Sequence, residues 1–531
     1  MRTLLVLMGV SVNALAQTNA PEIRQLSLED CIELAVRHNL DVQIKRFNPE
    51  IARFNLQAIY GSYDPIFSAS GSHDYNQSPG GFDPQGRPFG GTETDDNKFS
   101  SGFQGLLPWG LNYNLGGSMT DTYGTRPDTA TDFSSVTFRT NTFTDIFNTN
   151  NTVTFRTPVF GVVPVRAPFE NVSGSVGLFT LRQPLLKNFW VDNTRLQIYL
   201  DRKNLRISEL DLRFQVISTV TAVEQAYYDL MFAQENIKVQ QKALELAERL
   251  VAENKKRVEV GALAPLDEKQ AESQAAGSRA DLLAAIGTED TQERVLKSLL
   301  SDDYSKWKNA AIRPTAALVA VPERFNLQES WEKGLRMRPD LLQQGLNLDK
   351  QGYVIRFQRN QLFPQLDLVG DYGYNASSSR LGDALDQIRN QDNPFWSVGA
   401  QMSIPLGNRS ARGAYRAAKA TREQVALQLK QLEQNVLIQI ENAIATARTS
   451  FQRVGATREA RIYAEAALDA EQKKLESGKS TSFEVLRLQR DLTTARSTEI
   501  RALADYNIAL AQIALDEVTT LDRRHVTIEV K

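Results

Sequence analysis

Two periods of apolar residues alternate along the chain. Between positions 216 and 251 apolar side chains recur at steps of four and three, which is the spacing of a helical coiled-coil seam. After Pro65, and again after Pro364, apolar and polar residues alternate one by one, which predicts strands with one apolar and one polar face. The chain is therefore predicted to be an α+β protein with long helices and amphipathic strands. The seam residues are Val216, Val220, Val223, Tyr227, Leu230, Ile237, Leu244 and Val251.

The order of a helix, strands and a long helix occurs twice. Leu26–Ile32 is similar to Phe325–Trp331, 299 positions later, whereas Gln183-Pro184-Leu185 is similar to Ile404-Pro405-Leu406 at an offset of only 221. The smaller offset means that the first copy holds 78 extra residues in its strand region. We therefore predict an internal duplication with an insertion. At the offset of 299, Pro65, Gly71, Tyr75 and Asn76 also recur as Pro364, Gly370, Tyr374 and Asn375.

The predicted segments follow from this duplication. The chain divides into a signal peptide (1–16), a first repeat (17–300), an equatorial connection (301–324), a second repeat (325–518) and a C-terminal equatorial tail (519–531). The first repeat holds a helix at 28–60, strands at 65–76, 99–107, 111–120 and 172–183, a long helix at 192–260 and a return helix at 265–300. The second repeat holds a helix at 327–361, strands at 364–375 and 395–405, a long helix at 408–477 and a return helix at 481–517. Polar stretches at 77–97, 121–170 and 376–394 are predicted loops.

The helix lengths predict how the helices pair. A long helix of about 68 residues spans about 100 Å at 1.5 Å per residue, and the two shorter helices of each repeat together cover that length. We expect the two shorter helices to stack end to end beside the long one, in antiparallel coiled-coil pairs.

The amino terminus indicates export, and the strands indicate a membrane. Arg2, an apolar run from Leu4 to Val12, and Ala14-Leu15-Ala16 have the three-part pattern of a secretory signal. After it no stretch of about 18 apolar residues occurs, so any membrane passage must be made by strands. Four or six strands cannot enclose an aqueous pore alone, because open strand edges are not tolerated in lipid. Oligomerisation is therefore expected.

Composition argues against several other classes of protein. A formal net charge of -2, from 61 basic and 63 acidic residues, gives no footprint for nucleic acid. The three histidines are scattered without metal-ligand spacing, so no metal and no cofactor is predicted. Cys31, the only cysteine, is predicted to be a core residue and not a nucleophile. We predict no catalytic residue and no enzymatic activity.

Several motifs resemble the TolC family of outer-membrane efflux proteins. They are Leu-Ser-Leu-Glu-Asp-Cys-Ile-Glu-Leu-Ala at 26–35, Gln-Pro-Leu at 183–185, Arg-Pro-Asp-Leu at 338–341, and the two glycine turns. The resemblance implies a homotrimer in the outer-membrane lipid of a Gram-negative-type (diderm) bacterium. Its strands would share one transmembrane β-barrel, and its helices would form a periplasmic tunnel. The family's usual barrel takes four strands per subunit, and six would be expected here if the insertion joins the wall.

The resemblance also suggests functional residues. In the family the glycine turns cap the tunnel tips, where a periplasmic adaptor (membrane fusion protein) docks. The adaptor-contact candidates are therefore Val260, Gly261, Ala262, Ser477, Gly478 and Lys479. The simpler interpretation, compatible with docking, is that each glycine only permits a positive φ after a long helix. Glu484 and Arg487 occupy the positions where relatives with a constricted entrance carry acidic aperture residues, so one acid matches and one departs.

Two functions remain open at this point. The first is a passive exit channel that serves an adaptor and an inner-membrane pump, in a tripartite efflux pump or a type I secretion system. The alternative is a structural coiled-coil protein that spans the periplasm without transport, but it leaves the two-faced strands unexplained.

Overall fold

The structure, a computed structural model, describes residues 22–526 except 83–85, 87, 146, 147 and 262. The side chains of 145 and 148–151 are also outside its description, as are the predicted signal peptide and the last five residues of the predicted tail. The chain divides into two compact units. The described residues of the first unit are 22–55, 201–350 and 421–526, and those of the second lie within 56–200 and 351–420.

Long helices dominate the first unit, and they occur in pairs of matching length. The two longest helices have 67 and 68 residues, and each is followed by a helix of 36 residues. In the part of the chain that the structure describes, no helix is long and apolar enough to cross a membrane. The helices are α1 (Leu28–His38), α2 (Leu40–Tyr60), α3 (Asn193–Glu259), α4 (Pro265–Leu300), α5 (Leu327–Met337), α6 (Pro339–Asn360), α7 (Leu381–Arg389), α8 (Arg409–Glu476), α9 (Ser482–Glu517) and α10 (Thr520–Arg523).

The segments predicted as single helices at 28–60 and 327–361 are each broken into two helices, which corrects the prediction. Asn39 has an extended backbone, and its side chain accepts from the amides of Asp41 (3.0 Å) and Val42 (3.2 Å), so it ends α1 and caps α2. Arg338 occupies the corresponding break and is also extended, because a residue that precedes proline is disfavoured in the helical conformation. The cap at Asn39 therefore separates α1 from α2, and the proline after Arg338 separates α5 from α6.

The main core of the first unit joins α1, α3 and α4 with a short parallel pair of strands. The thiol of Cys31 is fully buried in this core, and the Tyr227 hydroxyl donates to the carbonyl oxygen of Leu26 at 3.2 Å. In the predicted connection and tail, Arg523 and Glu323 form an ion pair at 2.7 Å. Arg524 pairs with the buried Glu224 of α3, also at 2.7 Å. These contacts fix the chain after α9 against the core.

Ten strands form three sheets in the described residues. Two sheets are small: β1 pairs in parallel with β8, and β3 pairs with β4. The third belongs to the second unit and has six antiparallel strands in the order β10-β9-β7-β6-β5-β2. The strands are β1 (Glu22–Leu26), β2 (Ile66–Gln77), β3 (Gly81–Phe82), β4 (Pro88–Phe89), β5 (Glu93–Leu106), β6 (Asn112–Asp145), β7 (Asn148–Pro184), β8 (Ala310–Pro314), β9 (Gln365–Ser378) and β10 (Pro394–Ser403).

The register of the six-stranded sheet keeps its two faces distinct. Ser70 pairs with Ser100, and Ser100 with Ser118, whereas Phe67 pairs with Phe103 and Phe179 with Tyr372. One face therefore carries small polar side chains and the other carries apolar and aromatic ones. The predicted mixture of helices and strands is confirmed. The segment that was predicted to be an insertion contributes β5 and β6 to the same sheet as β2, β7, β9 and β10.

Three predicted loops contain regular structure. The stretch 121–170 belongs to β6 and β7, which extend beyond their neighbours as a two-stranded ribbon: the pairing of β5 with β6 stops at Thr125, and that of β7 with β9 at Val172. Both ribbon faces are largely exposed, so no single apolar face marks it in the sequence, although threonine, valine and phenylalanine favour strands. In 77–97, β3, β4 and the start of β5 occur, and in 376–394 α7 packs Ala384 against Val172.

Candidate functional site

The first glycine turn follows α3 directly. Gly261 has a φ of +77°, and its amide donates to the carbonyl oxygen of Val258 at 3.0 Å. A non-glycine residue is strained at such a φ, so glycine ends the helix at low conformational cost. Val260 beside it is 79% exposed. Ala262, the third predicted contact residue of this turn, lies outside the described residues.

The second glycine turn follows α8 and completes the corresponding cap. Gly478 has a φ of +72°, its amide donates to the carbonyl oxygen of Leu475 at 3.1 Å, and the Lys479 amide donates to that of Lys474 at 2.8 Å. These two bonds together are a Schellman motif, which satisfies carbonyl groups at the helix end. The Ser477 hydroxyl bonds to the carbonyl oxygen of Lys473 at 3.0 Å. The conformational role expected of both glycines is therefore observed.

A buried asparagine holds the two turns together within the first unit. Asn254, one turn before the end of α3, is 1% exposed. Its amide nitrogen donates to the carbonyl oxygen of Asp267 on α4 at 3.3 Å, and its amide oxygen accepts from the Ser482 hydroxyl at the start of α9 at 3.1 Å. One side chain thus links the helices on both sides of the first turn to the helix that follows the second turn. The structure therefore brings the two predicted contact segments to one end of the helical assembly.

A small apolar cluster packs beneath the same turns. It combines residues of α3, α4, α8 and α9, so all four helices share it. Because these side chains are buried near the helix ends, the turns are fixed by packing as well as by hydrogen bonds. Its buried members are Leu250, Ala271, Leu468, Leu475, Val485, Leu486 and Leu492.

Further from the turns, polar side chains replace apolar ones between α3 and α9. Arg501 pairs with Asp229 at 2.8 Å, and the Ser497 hydroxyl bonds to Asn236 at 2.7 Å. A cavity of about 340 Å³ lies in this region, and its lining includes Gln240 and Gln489. Most of its lining residues are polar or charged, which suits bound water molecules.

The two aperture candidates form an ion pair with each other. The Arg487 guanidinium donates to the Glu484 carboxylate at 2.8 and 3.0 Å, and it also reaches Asp491 at 3.4 Å. The hydrogen bond and the charge of Glu484 raise the pKa of Arg487. Both side chains remain solvent-accessible. The Glu484 carboxylate expected at the aperture is therefore paired with an arginine of the same helix.

Sequence reasoning missed Asn254 and Ser482. A signal for Asn254 was present, since it lies three positions after Val251 and so interrupts the apolar seam with a polar residue. Such residues often fix the register of packed helices. For Ser482 no comparable signal exists, because its importance comes from a partner 228 residues away.

One group of three carboxylates lies on α4. Glu289, Asp290 and Glu293 lie close enough together to hold a cation. However, Glu293 accepts from the amide of Ile312 at 2.7 Å and pairs with Lys297 at 3.0 Å, and Glu289 accepts from Gln234 at 3.1 Å. These contacts already engage Glu289 and Glu293, so the group gives no support for a metal.

The chain is similar to outer-membrane efflux proteins. Residues 170–301 and 332–515 match the family model described as outer membrane efflux protein, which amounts to more than half of the chain. The chain is 24% identical over 354 residues to the outer membrane efflux protein BepC of Brucella suis, which covers 65% of this chain and 72% of that protein. It is 23% identical over 364 residues to the outer membrane protein TolC of Vibrio cholerae, covering 66% and 77%.

A solved structure shares the fold. The crystal structure of the outer membrane protein VceC from Vibrio cholerae superimposes with a TM-score of 0.63 over 92% of this chain and 95% of that one, at 15% sequence identity.

Proposed function

Because the chain belongs to the outer membrane efflux protein family, we propose that three copies form a passive channel across the outer membrane of a diderm bacterium. Substrates would pass from an inner-membrane pump and its periplasmic adaptor to the outside, in a tripartite efflux pump or a type I secretion system. The observation that carries the proposal is the six-stranded sheet with one polar and one apolar face, because a barrel wall between water and lipid needs both faces.

The edges of this sheet favour closure by neighbouring copies. Among the described residues, no strand pairs with the outer side of β2 or of β10. Successive strands alternate in direction, so β2 of one copy and β10 of the next are antiparallel, and alternation continues around a ring. Three copies would give eighteen strands, and barrel diameter grows roughly linearly with strand number. The barrel would then be about half again as wide as one of twelve strands.

The proposed internal duplication is supported by matching helices. The pairs α1 and α5, α3 and α8, and α4 and α9 agree within one residue in length. In this proposal the 78 extra residues of the first copy supply β5 and much of β6 and β7.

Disulfide crosslinking tests the ring. In a Cys31→Ser background, Ser68→Cys on β2 and Gln401→Cys on β10 place one thiol on each edge strand, both on the polar face. We expect oxidation to yield covalent trimers, with neighbouring cysteine pairs sampling the register. Pairs between β2 and β9 serve as controls, since these strands are not neighbours. If every edge pair stays monomeric in outer-membrane fractions, closure by β2 and β10 is wrong.

Cell fractionation separates the channel from the periplasmic spacer. A channel subunit should sediment with the outer membrane and migrate as a trimer that dissociates on heating. A soluble periplasmic monomer would contradict the channel and favour the spacer.

We also propose that the two glycine turns contact the adaptor. Their exposed side chains, together with the Asn254 link that holds both turns at one end, support a common docking surface. A photo-crosslinking amino acid at Val260 or Lys479 should capture the co-expressed adaptor. The same amino acid at Ile438, an exposed position in the middle of α8, is the control. Export without any crosslink from either turn would contradict the docking assignment.

The Glu484–Arg487 pair is proposed to moderate the charge of the aperture. Three carboxylates around one axis attract cations, and a paired arginine offsets that attraction. Arg487→Gln should therefore raise the cation-to-anion permeability ratio in planar bilayers, whereas Arg490→Gln, which removes an exposed arginine without this pair, should not. Equal effects of both variants would show that Arg487 has no specific role.

A further inference from the structure

We propose that the first three turns of α8 and the apolar band beside them bind the headgroups of anionic glycerophospholipids in the periplasmic leaflet of the outer membrane. This proposal rests on the proposed function, because it requires the six-stranded sheet to lie in that membrane. The apolar band consists of exposed residues at the end of the sheet where β10 leads into α8: Trp109, Leu185, Leu186, Phe189, Trp190, Ile404 and Leu406.

The apolar band has the composition of a membrane interface. It contains two tryptophans, which are enriched where a barrel meets the headgroup region. Leu406 is 98% exposed, so its side chain has almost no contact with the rest of the chain. Trp396 and Val398 of β10, the strand that precedes Ile404, are also exposed on the apolar face of the sheet. An apolar surface thus extends without interruption from the strand into the connection before α8.

A basic helix face follows immediately. Arg409, Arg412, Arg416 and Lys419 lie three or four positions apart, which places them along one side of α8. No aspartate or glutamate occurs from 393 to 422, and within the described chain no carboxylate pairs with Arg409, Arg412 or Arg416. These three arginines are exposed or partly exposed, and their charge is not neutralised by the protein.

The position of these charges is unfavourable for the helix itself. The N-terminal end of a helix carries a partial positive charge, so acidic residues stabilise the first turn and basic residues oppose it. The first turns of α1, α4 and α9 follow this rule, with Glu29, Asp267 and Glu484 among their residues. The first turn of α3 has no acidic residue and contains Arg195, but that arginine donates to the carbonyl oxygen of Trp190 at 3.1 Å. The first turn of α8 has no acidic residue and begins with Arg409. An external anion would remove this repulsion, and the arginine side chains, not the backbone amides, would bind it.

The distance along the chain between apolar and basic groups favours a lipid over a soluble anion. Leu406 precedes Arg409 by three residues and Arg412 by six, so acyl chains and phosphate groups of one lipid layer can be contacted together. Basic side chains near an anionic membrane surface gain about fivefold in affinity each. If these arginines instead lined the channel and bound anionic cargo, the exposed leucine and tryptophans beside them would not be required.

Lipid titration tests the proposal on the full-length trimer in detergent. Native mass spectrometry would count the binding of phosphatidylglycerol, phosphatidylcholine and inorganic phosphate. The variant is Arg412→Gln with Arg416→Gln, and the matched control is Lys255→Gln with Lys256→Gln, which removes two exposed charges from α3 in the other unit. We expect phosphatidylglycerol to bind in preference to phosphatidylcholine, and the variant to lose that preference by about 25-fold while the control keeps it.

Three results would overturn the proposal: equal phosphatidylglycerol affinity in variant and wild type, inorganic phosphate binding as tightly as the lipid, or reduced export of an anionic substrate by the variant with lipid binding unchanged. Failure of the proposed function has a different signature. In that case the wild type itself would not form an outer-membrane trimer, whereas a conducting trimer without lipid preference would refute only the lipid site.

Discussion

Replacement of Asn254 by alanine tests how the two helical tips are held together. The substitution removes a donor to the carbonyl oxygen of Asp267 and an acceptor for the Ser482 hydroxyl, both of which lie in a region shielded from water. Leaving a buried polar group without a partner costs about 1–3 kcal/mol. Because the hydrogen bonds join helix ends, the loss should appear as easier local opening at the tips and not as global unfolding.

Hydrogen exchange measures this opening directly. A cost of about 1–3 kcal/mol corresponds to roughly a 5- to 150-fold faster exchange of amides whose exchange requires the tip to open. We expect this acceleration in peptides that contain the end of α3, the start of α4 and the first turn of α9. Peptides from the main core around Tyr227 should keep their wild-type rates.

A double-mutant cycle identifies the responsible bond. Ser482→Ala removes the partner hydroxyl, so the two substitutions together should cost less than the sum of their separate effects, by about 1 kcal/mol for one neutral hydrogen bond. Thr493→Ala on the same helix is the control, because its hydroxyl bonds only to the carbonyl oxygen of Gln489 within α9. Additive effects, or unchanged exchange at the tips of Asn254→Ala, would refute the role given to this side chain.

Three other side chains give further expected outcomes. Burial raises the pKa of the Cys31 thiol to about 12. The stabilising contribution of the protonated thiol is therefore complete below about pH 9 and is lost as the pH rises toward 12. Iodoacetamide at pH 8 should leave the folded protein unmodified. The buried Asp367 carboxylate accepts a hydrogen bond from Arg182 at 2.8 Å, and Asp367→Asn should weaken it at a cost of about 1.5–3 kcal/mol. The proposed trimer should then dissociate to monomers at a lower temperature on gels. Ser27→Ala removes the cap of α1 at a cost of about 1 kcal/mol. Hydrogen bonds from Ser27 lower the pKa of Asp30, so part of this difference should disappear in acid unfolding as the pH falls through that lowered pKa.

The helices were predictable from the sequence because their signals are local. The heptad spacing from Val216 to Val251, and the glycines at 261 and 478, indicate where long helices run and stop. The observed bounds of α3 and α8 differ from the predicted ones by one residue at each end, and those of α4 agree. The breaks at Asn39 and Arg338 were not predicted, because only one capping side chain and one proline mark them within a longer apolar period.

The strands were only partly predictable from local sequence patterns. Alternation predicted that Phe67 and Trp396 belong to apolar strand faces, and the register places both on the same face of one sheet. The ribbon of β6 and β7 was predicted as a loop, because a strand pair exposed on both faces has no apolar periodicity to detect. Its paired residues are up to 43 positions apart, as at Thr125 and Pro168, so a short window of sequence contains only one end of the ribbon.

The sequence by itself determined the helix period, the two-faced strands, the glycine caps and the family, since each depends on neighbouring residues or on a motif. Only the tertiary structure decided that the predicted insertion belongs to the same sheet as the other long strands, that Asn254 joins the two tips and that Arg487 binds the Glu484 carboxylate. The first two depend on contacts between residues up to 228 positions apart. The third depends on a side-chain rotamer, since a spacing of three residues on a helix permits an ion pair but does not require one.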